Sequence, residues 1–283
     1  MPDVDPALTP GDVRIERFTA AERNVLAARG LFGPLFEAYL AHSAAWVGQP
    51  DGLVRVMMQQ GLAAAALYLT CRPADEETAW TVNFAEPPLN LFLAASGRAG
   101  SVVGRYYDEH VETAESNRLF VQTTRRIGKP HTSVIEVRGL DVLLILEQYY
   151  AQSEQTTTRF LEGEGEEFVM LMALPGIDDA WLRQLPREEG LSFAQWSDVH
   201  RIEERIVRFG CLCDEERIVE VVTGIFREKR EELFQGESEV EVRCPRCGRA
   251  YRLSREAFEG ALRRRRAQDR GAEPMGEDPP DRG

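Results

Sequence analysis

Residues 209–222 read FGCLCDEERIVEVV and residues 238–254 read SEVEVRCPRCGRAYRLS. They carry two cysteine pairs, Cys211 with Cys213 and Cys244 with Cys247, with 30 residues between the pairs. Four thiolates suit one tetrahedral zinc ion. In the second pair, Pro245 bends the chain and Gly248 permits close backbone approach. In the first, residues i and i+2 of an extended backbone face the same side, so both sulfurs can reach one metal. A cysteine is often no more than a small core residue, but two spaced pairs within 52 residues point to a ligand set. Around the pairs, Asp214 is placed to cap a helix. A second helix is expected over 227–235, SEVEVRC reads as a strand, and a final helix is expected over 254–266 with Ser254 as its N-cap. The sequence predicts a zinc-binding module over 211–262, then a basic and finally acidic tail over 263–283.

The rest of the composition bounds what surrounds this module. The chain has 283 residues, enough for about two domains. With 43% hydrophobic and 29% charged residues, it is neither wholly disordered nor fibrous. The net charge of −13 argues against binding driven by whole-chain attraction to nucleic acid or anionic lipid. Residues 244–270 nevertheless carry nine Arg against three acids. Zinc with four thiolates carries a formal charge of −2, and Arg208, Arg217, Arg243, Arg246 and Arg249 are near enough in sequence to offset it. A secreted scaffold would spread its cysteines, whereas the first 210 residues hold only Cys71. The N-terminus lacks the basic and apolar regions of a secretory signal. The longest nearly apolar run, GLAAAALYLTC at 61–71, has 11 residues, short of the roughly 20 that span a bilayer. A cytoplasmic protein is expected, with thiols kept reduced and no membrane partner.

Residues 11–175 read as an α+β domain. The first ten residues, with three prolines, are expected to be a loose arm. Val13, Ile15 and Phe18 nearly alternate as in a strand, and 34–47 and 52–70 have helical texture. Beyond Pro73 come TAWTVNFA, LNLFLAAS, SVVGRYYDE, RLFVQTTRR and TSVIEVRG, spaced as strands with turn residues between them. Residues 140–153 read as a buried helix, and 156–162 and 167–174 as two more strands. The stretch 176–210 mixes charges with Trp181, Leu191, Phe193 and Trp196 and has no sustained period. It is too apolar for a solvated linker. It reads as a linker draped over the first domain, or as a segment that covers a binding surface and can be released.

The cysteine pattern, the GRAYRLSRE that follows it and YYAQSEQTTTRF at 149–160 together resemble the bacterial heat-shock protein 33 family. The resemblance implies an N-terminal client-binding domain and an ATP-independent holdase chaperone with no catalytic residue. It implies a stress-response role in which the reduced, zinc-bound form is inactive. Oxidation then forms disulfides Cys211–Cys213 and Cys244–Cys247, releases zinc and unfolds the module with its linker. That exposes apolar surface to unfolding client proteins, often with homodimerisation. Two such disulfides close loops of only three and four residues and return little chain entropy, against roughly 10–16 kcal/mol that zinc contributes to small modules. The chain also departs from the family: AEPPLN at 85–90 stands where a Gly-rich turn is expected, and 176–210 is short and lacks a long helix.

Other features carry weaker signals. Cys71 ends an apolar helix and reads as core. Gly97, Gly100 and Gly104 suit a β-turn better than a phosphate loop, because no Lys follows. His42, His110, His131 and His200 lack ligand spacing. Arg263–Arg266 could touch nucleic acid, but cations are favourable at a helix C-terminus. Two alternatives to the chaperone therefore remain: a nucleic-acid-binding zinc module, and a constitutively zinc-stapled interaction protein.

Overall fold

The computed structural model describes residues 8–112, 114–175 and 179–271, and the side chains up to Arg265. Residues 1–7 of the expected arm, 176–178 of the linker and 272–283 of the tail lie outside the described residues. The chain divides into two compact units, Met1–Cys211 and Leu212–Gly283.

In the first unit the elements run β1 (Asp12–Ala20), β2 (Val25–Leu31), α1 (Gly33–Trp46), α2 (Gly52–Thr70), β3 (Glu77–Phe84), β4 (Leu89–Ser96) and β5 (Ser101–Tyr107). They continue with β6 (Arg118–Thr124), β7 (His131–Glu136), α3 (Val142–Tyr149), β8 (Thr158–Glu162) and β9 (Glu167–Ala173). The last are α4 (Ala180–Gln184), α5 (Arg187–Leu191) and β10 (Val199–Phe209). Ten strands form one sheet in the order β7-β6-β3-β4-β5-β10-β1-β2-β9-β8. All neighbours pair antiparallel except β10 with β5. The fold is α+β, as the sequence predicts.

Helix α2 begins where Asp51 accepts a hydrogen bond from the Val54 amide (2.8 Å). Its second half, GLAAAALYLT, is almost wholly buried because its small residues let it lie close on the sheet. A Cβ at Gly61 would stand 2.5 Å from Leu93 Cδ1, so a larger residue there would force Leu93 to shift. At its end, Tyr68, Arg72 and Arg125 converge on the buried carboxylate of Glu76 (2.7, 2.9 and 3.0 Å).

The end of the sheet formed by β1, β2, β9 and β8 is covered on both faces. Ile15, Ala28, Phe160, Phe168 and Met170 point into the cluster shared with α1, α2 and α3. Phe18, Val25, Ala27, Leu161, Val169 and Leu171 point the other way, into a second cluster with Leu182, Leu185 and Phe193. Burial on both faces explains why β9 reads as the unbroken apolar run FVMLMA after Glu167 instead of an alternation.

The sequence reading is corrected at three places. β2 was not expected. The segment over 176–210 does contain regular structure, including the eleven-residue strand β10 inside the sheet. Its period is hidden because charges sit on both of its faces. Arg205 donates to the carbonyls of Leu69 and Arg72, and Arg17 of β1 to that of Thr70, so both guanidiniums satisfy the C-terminal end of α2. In the second unit β12 was not expected either. The absence of a long helix between 179 and 210 agrees with the sequence, since α4 and α5 have five residues each.

The second unit comprises α6 (Glu215–Ile225), α7 (Arg230–Phe234), a hairpin of β11 (Glu239–Arg243) and β12 (Ala250–Ser254), and α8 (Arg255–Gly271). Asp214 caps α6 through the Arg217 amide (2.8 Å), and the Ser254 hydroxyl accepts from the Ala257 amide at the start of α8 (3.1 Å). Its apolar core is small, built on Ile218, Val219, Val222, Phe234, Leu253, Phe258 and Leu262. A core of that size ordinarily needs a staple.

Candidate metal centre

The four predicted cysteines meet. Their sulfurs all lie within 4.8 Å of one another, and Cys213 Sγ is 3.5 Å from Cys247 Sγ. A tetrahedron of sulfurs at a Zn–S distance of about 2.3 Å has edges of about 3.8 Å, so the donor set fits the ion in number, type and spacing. No disulfide joins them in the described residues, and Cys244 and Cys247 are buried while Cys211 and Cys213 are half-buried.

Each half of the site is shaped by its local sequence. Between β11 and β12, the Gly248 amide donates to the Cys244 carbonyl and the Cys244 amide to the Arg249 carbonyl (both 2.9 Å). This knuckle needs Gly248 at φ +80°, a conformation that side chains disfavour. The other pair lies in the short segment without regular secondary structure between β10 and the Asp214 cap. Tyr251, on β12, joins the halves: its hydroxyl lies 3.1 Å from both Cys213 Sγ and the Cys213 carbonyl oxygen. Burial first, and then the Cys213 sulfur, push the Tyr251 phenol up to about 12. Sequence reasoning missed this residue because only the hairpin register brings it to the sulfur.

The arginines expected to offset the thiolates are partly committed elsewhere. Arg208 pairs with Asp12 (3.4 Å), Arg243 with Glu241 (3.0 Å) and Arg217 with Asp214 (3.5 Å). Among the described residues, the metal-ligating cluster includes none of the other candidates. Cys71 sits at the C-terminal end of α2, where burial pushes its thiol up to about 12. Gly97 and Gly100 form the turn between β4 and β5, and Gly104 lies within β5. The His42 ring packs on Phe209 (5.5 Å).

The segment that precedes the cysteines is fastened to the sheet by polar contacts. Arg159 of β8 donates through one guanidinium nitrogen to the carbonyls of Leu182, Arg183 and Leu185 (3.1, 3.2 and 3.2 Å). Its Nε faces Glu147 of α3 at 3.4 Å. Arg187 donates to the Glu162 carbonyl, and Arg183 to the Thr157 hydroxyl (2.9 Å). Asp198 accepts from the amides of Glu22 and Arg23 (3.0 Å each) and pairs with the Arg23 guanidinium, which also lies over the Trp196 ring. Phe193 inserts edge-on against Phe18, with ring centroids 5.2 Å apart.

The family model described as Hsp33 protein matches residues 162–254, from the end of β8 through the cysteine cluster. The 33 kDa chaperonin of Nitrosococcus oceani is 27% identical over 165 residues, covering 51% of this chain and 57% of that one. That of Thermus thermophilus is 28% identical over 197 residues, covering 57% and 58%. The match to the 33 kDa chaperonin of Azotobacter vinelandii is longer, with 25% identity over 233 residues, covering 70% and 78%. The chain thus spans a little over half the length of the first two relatives. The crystal structure of the 33 kDa chaperonin of Thermotoga maritima, a heat shock protein 33 homologue, matches with a TM-score of 0.65 and 16% identity. That match covers 90% of this chain and 99% of the other, and bears on the fold.

Proposed function

We propose, from the premise of membership in the Hsp33 family that these matches support, that the chain is a redox-regulated, ATP-independent holdase. The reduced, zinc-bound form is the resting state. Zinc, when bound to Cys211, Cys213, Cys244 and Cys247, holds four thiolates together and supplies the staple that the small second core lacks. Oxidation by peroxide takes two electrons from each pair. Two thiolates and two protons become one disulfide while one hydrogen peroxide becomes two waters. Two peroxides convert all four ligands, as Cys211–Cys213 and Cys244–Cys247, and no thiolate remains to retain the cation.

The observation that carries this reading is the apolar sheet face under residues 180–199, in the segment that runs straight through β10 into Cys211. Loss of the staple frees the chain at 211, and β10 with its preceding linker follows. The face that includes Phe18, Val25, Leu161 and Leu171 then meets unfolding clients, and a second copy can share it as a homodimer. In this reading residues 11–175 are the client-binding domain, 176–210 the releasable linker and 211–262 the switch. No residue is catalytic. Reversible thiol chemistry suits a reducing cytoplasm. No described helix is long and apolar enough to cross a membrane. The nucleic-acid alternative has less support, because Arg243, Arg252, Arg255 and Arg263 are each paired with a glutamate.

The test is to treat the zinc-loaded protein with peroxide at mild heat and to follow zinc release together with aggregation of an unfolding client. The expected result is a gain of aggregation suppression as zinc leaves. Zinc loss with no such gain would leave a constitutively stapled interaction protein instead.

A further inference from the structure

We propose that Tyr251 is a positioning residue that restrains the oxidation of Cys213, an inference that rests on the metal reading above. The Tyr251 hydroxyl stands 3.1 Å from Cys213 Sγ and equally far from the Cys213 carbonyl oxygen, and its single proton can favour only one of them. O–H···O bonds centre on about 2.7–2.8 Å, so 3.1 Å is long for the carbonyl. Sulfur is the larger acceptor, and 3.1 Å is a close approach to it. A thiolate also attracts the proton more strongly than a neutral carbonyl. The donor is held there by its strand: Tyr251 pairs with Val242 across the hairpin that carries Cys244 and Cys247 at its tip. The contact therefore ties the first cysteine pair to the second.

The chemical consequence follows from how peroxide reacts. A sulfur lone pair of Cys213 attacks one peroxide oxygen, the O–O bond breaks, hydroxide leaves and a sulfenic acid remains. A proton resting on that sulfur draws off the electron density that would attack. Partners outside the ligand shell commonly change affinity or reactivity by about 10–100-fold, and one hydrogen bond to a charged group belongs at the lower end of that range. The phenol thus holds the resting state against slow background oxidation without blocking a strong oxidant.

The experiment compares full-length, zinc-loaded wild type with Tyr251→Phe, which keeps the ring and deletes the donor. Zinc content is measured first, since a wild type that binds no zinc when refolded with it overturns the metal reading and this inference together. With zinc bound, Y251F is expected to lose it about tenfold faster in peroxide. In cobalt-loaded protein, the thiolate-to-metal charge-transfer band is expected to shift in Y251F, a signature that a purely structural residue would not alter. Zinc-loaded Y251F that matches wild type in both readouts overturns the inference and leaves the metal reading standing. Should Y251F not fold, wild type still decides. In protein loaded with cadmium-113, a tyrosine hydroxyl proton coupled to the metal supports the contact. A proton without that coupling assigns it to the carbonyl and overturns the inference.

Discussion

Replacing Arg159 with Met keeps the aliphatic stem and removes the guanidinium that holds the C-terminal carbonyls of α4 and Leu185. Three carbonyls, those of Leu182, Arg183 and Leu185, share the two hydrogens of one guanidinium nitrogen, so the loss amounts to two hydrogen bonds. Hydrogen bonds to charged groups contribute about 1.5–3 kcal/mol each. The Arg159 side chain is 20% exposed, so water replaces part of the loss. An expected cost of about 2–4 kcal/mol then falls on local opening of the linker rather than on the whole domain. With a factor of ten per 1.4 kcal/mol, protected amides over 180–196 should exchange about 30- to 700-fold faster in R159M. Native-state hydrogen exchange read by mass spectrometry gives this directly, with the amides of β9 as the internal reference. Arg183→Met, whose side chain is 66% exposed, should change exchange far less. If 180–196 stays within about threefold of wild type, Arg159 does not fasten the linker. If β9 accelerates by the same factor, Arg159 supports the domain as a whole.

Gly190→Ala should also loosen the linker, because the new Cβ would stand 2.4 Å from Leu161 Cδ1 under α5. A cost of about 1–3 kcal/mol is expected, read as faster limited proteolysis between 180 and 199. Cys244→Ser removes a buried ligand, so zinc binding should be lost and α6, α7 and α8 should lose far-UV helical signal, while β9 stays protected. Acid should loosen the latch at Asp198. Burial acts to raise its carboxyl, but the Arg23 amide and guanidinium hold it below the usual range. A depressed carboxylate stabilises above its unfolded value of about 3.9, and that stabilisation is lost as pH falls through the folded value. Pepsin cleavage of the linker should therefore rise with acid below about pH 4 in wild type and vary less in D198N.

The sequence made most of the first unit legible wherever one side of an element is apolar. α1, α2 and the strands from β3 to β9 follow from periodicity and turn residues alone. β2 escaped because small and charged residues, Ala27, Ala28, Arg29 and Gly30, blur its alternation, although both its faces pack. β10 escaped for a different reason. Glu203 and Arg205, on the same face as buried Val207, serve α2 and its neighbours, while Arg201 and Glu204 make ion pairs with one another. A strand held by charges on both faces has no hydrophobic period to read. The cysteine quartet was legible because ligand chemistry constrains residue type and spacing. Tyr251, Arg159 and Asp198 were not, since each acts through main-chain or sulfur atoms that only the folded register brings near.

In a zinc-stapled switch, loss of the four-thiolate site is felt in the linker. Hydrogen exchange on the zinc-loaded full chain, before and after peroxide at mild heat, tests it most directly. Residues 180–209 should lose protection as zinc leaves, while β9 keeps its own. Zinc release with both disulfides formed and 180–196 as protected as before would contradict it.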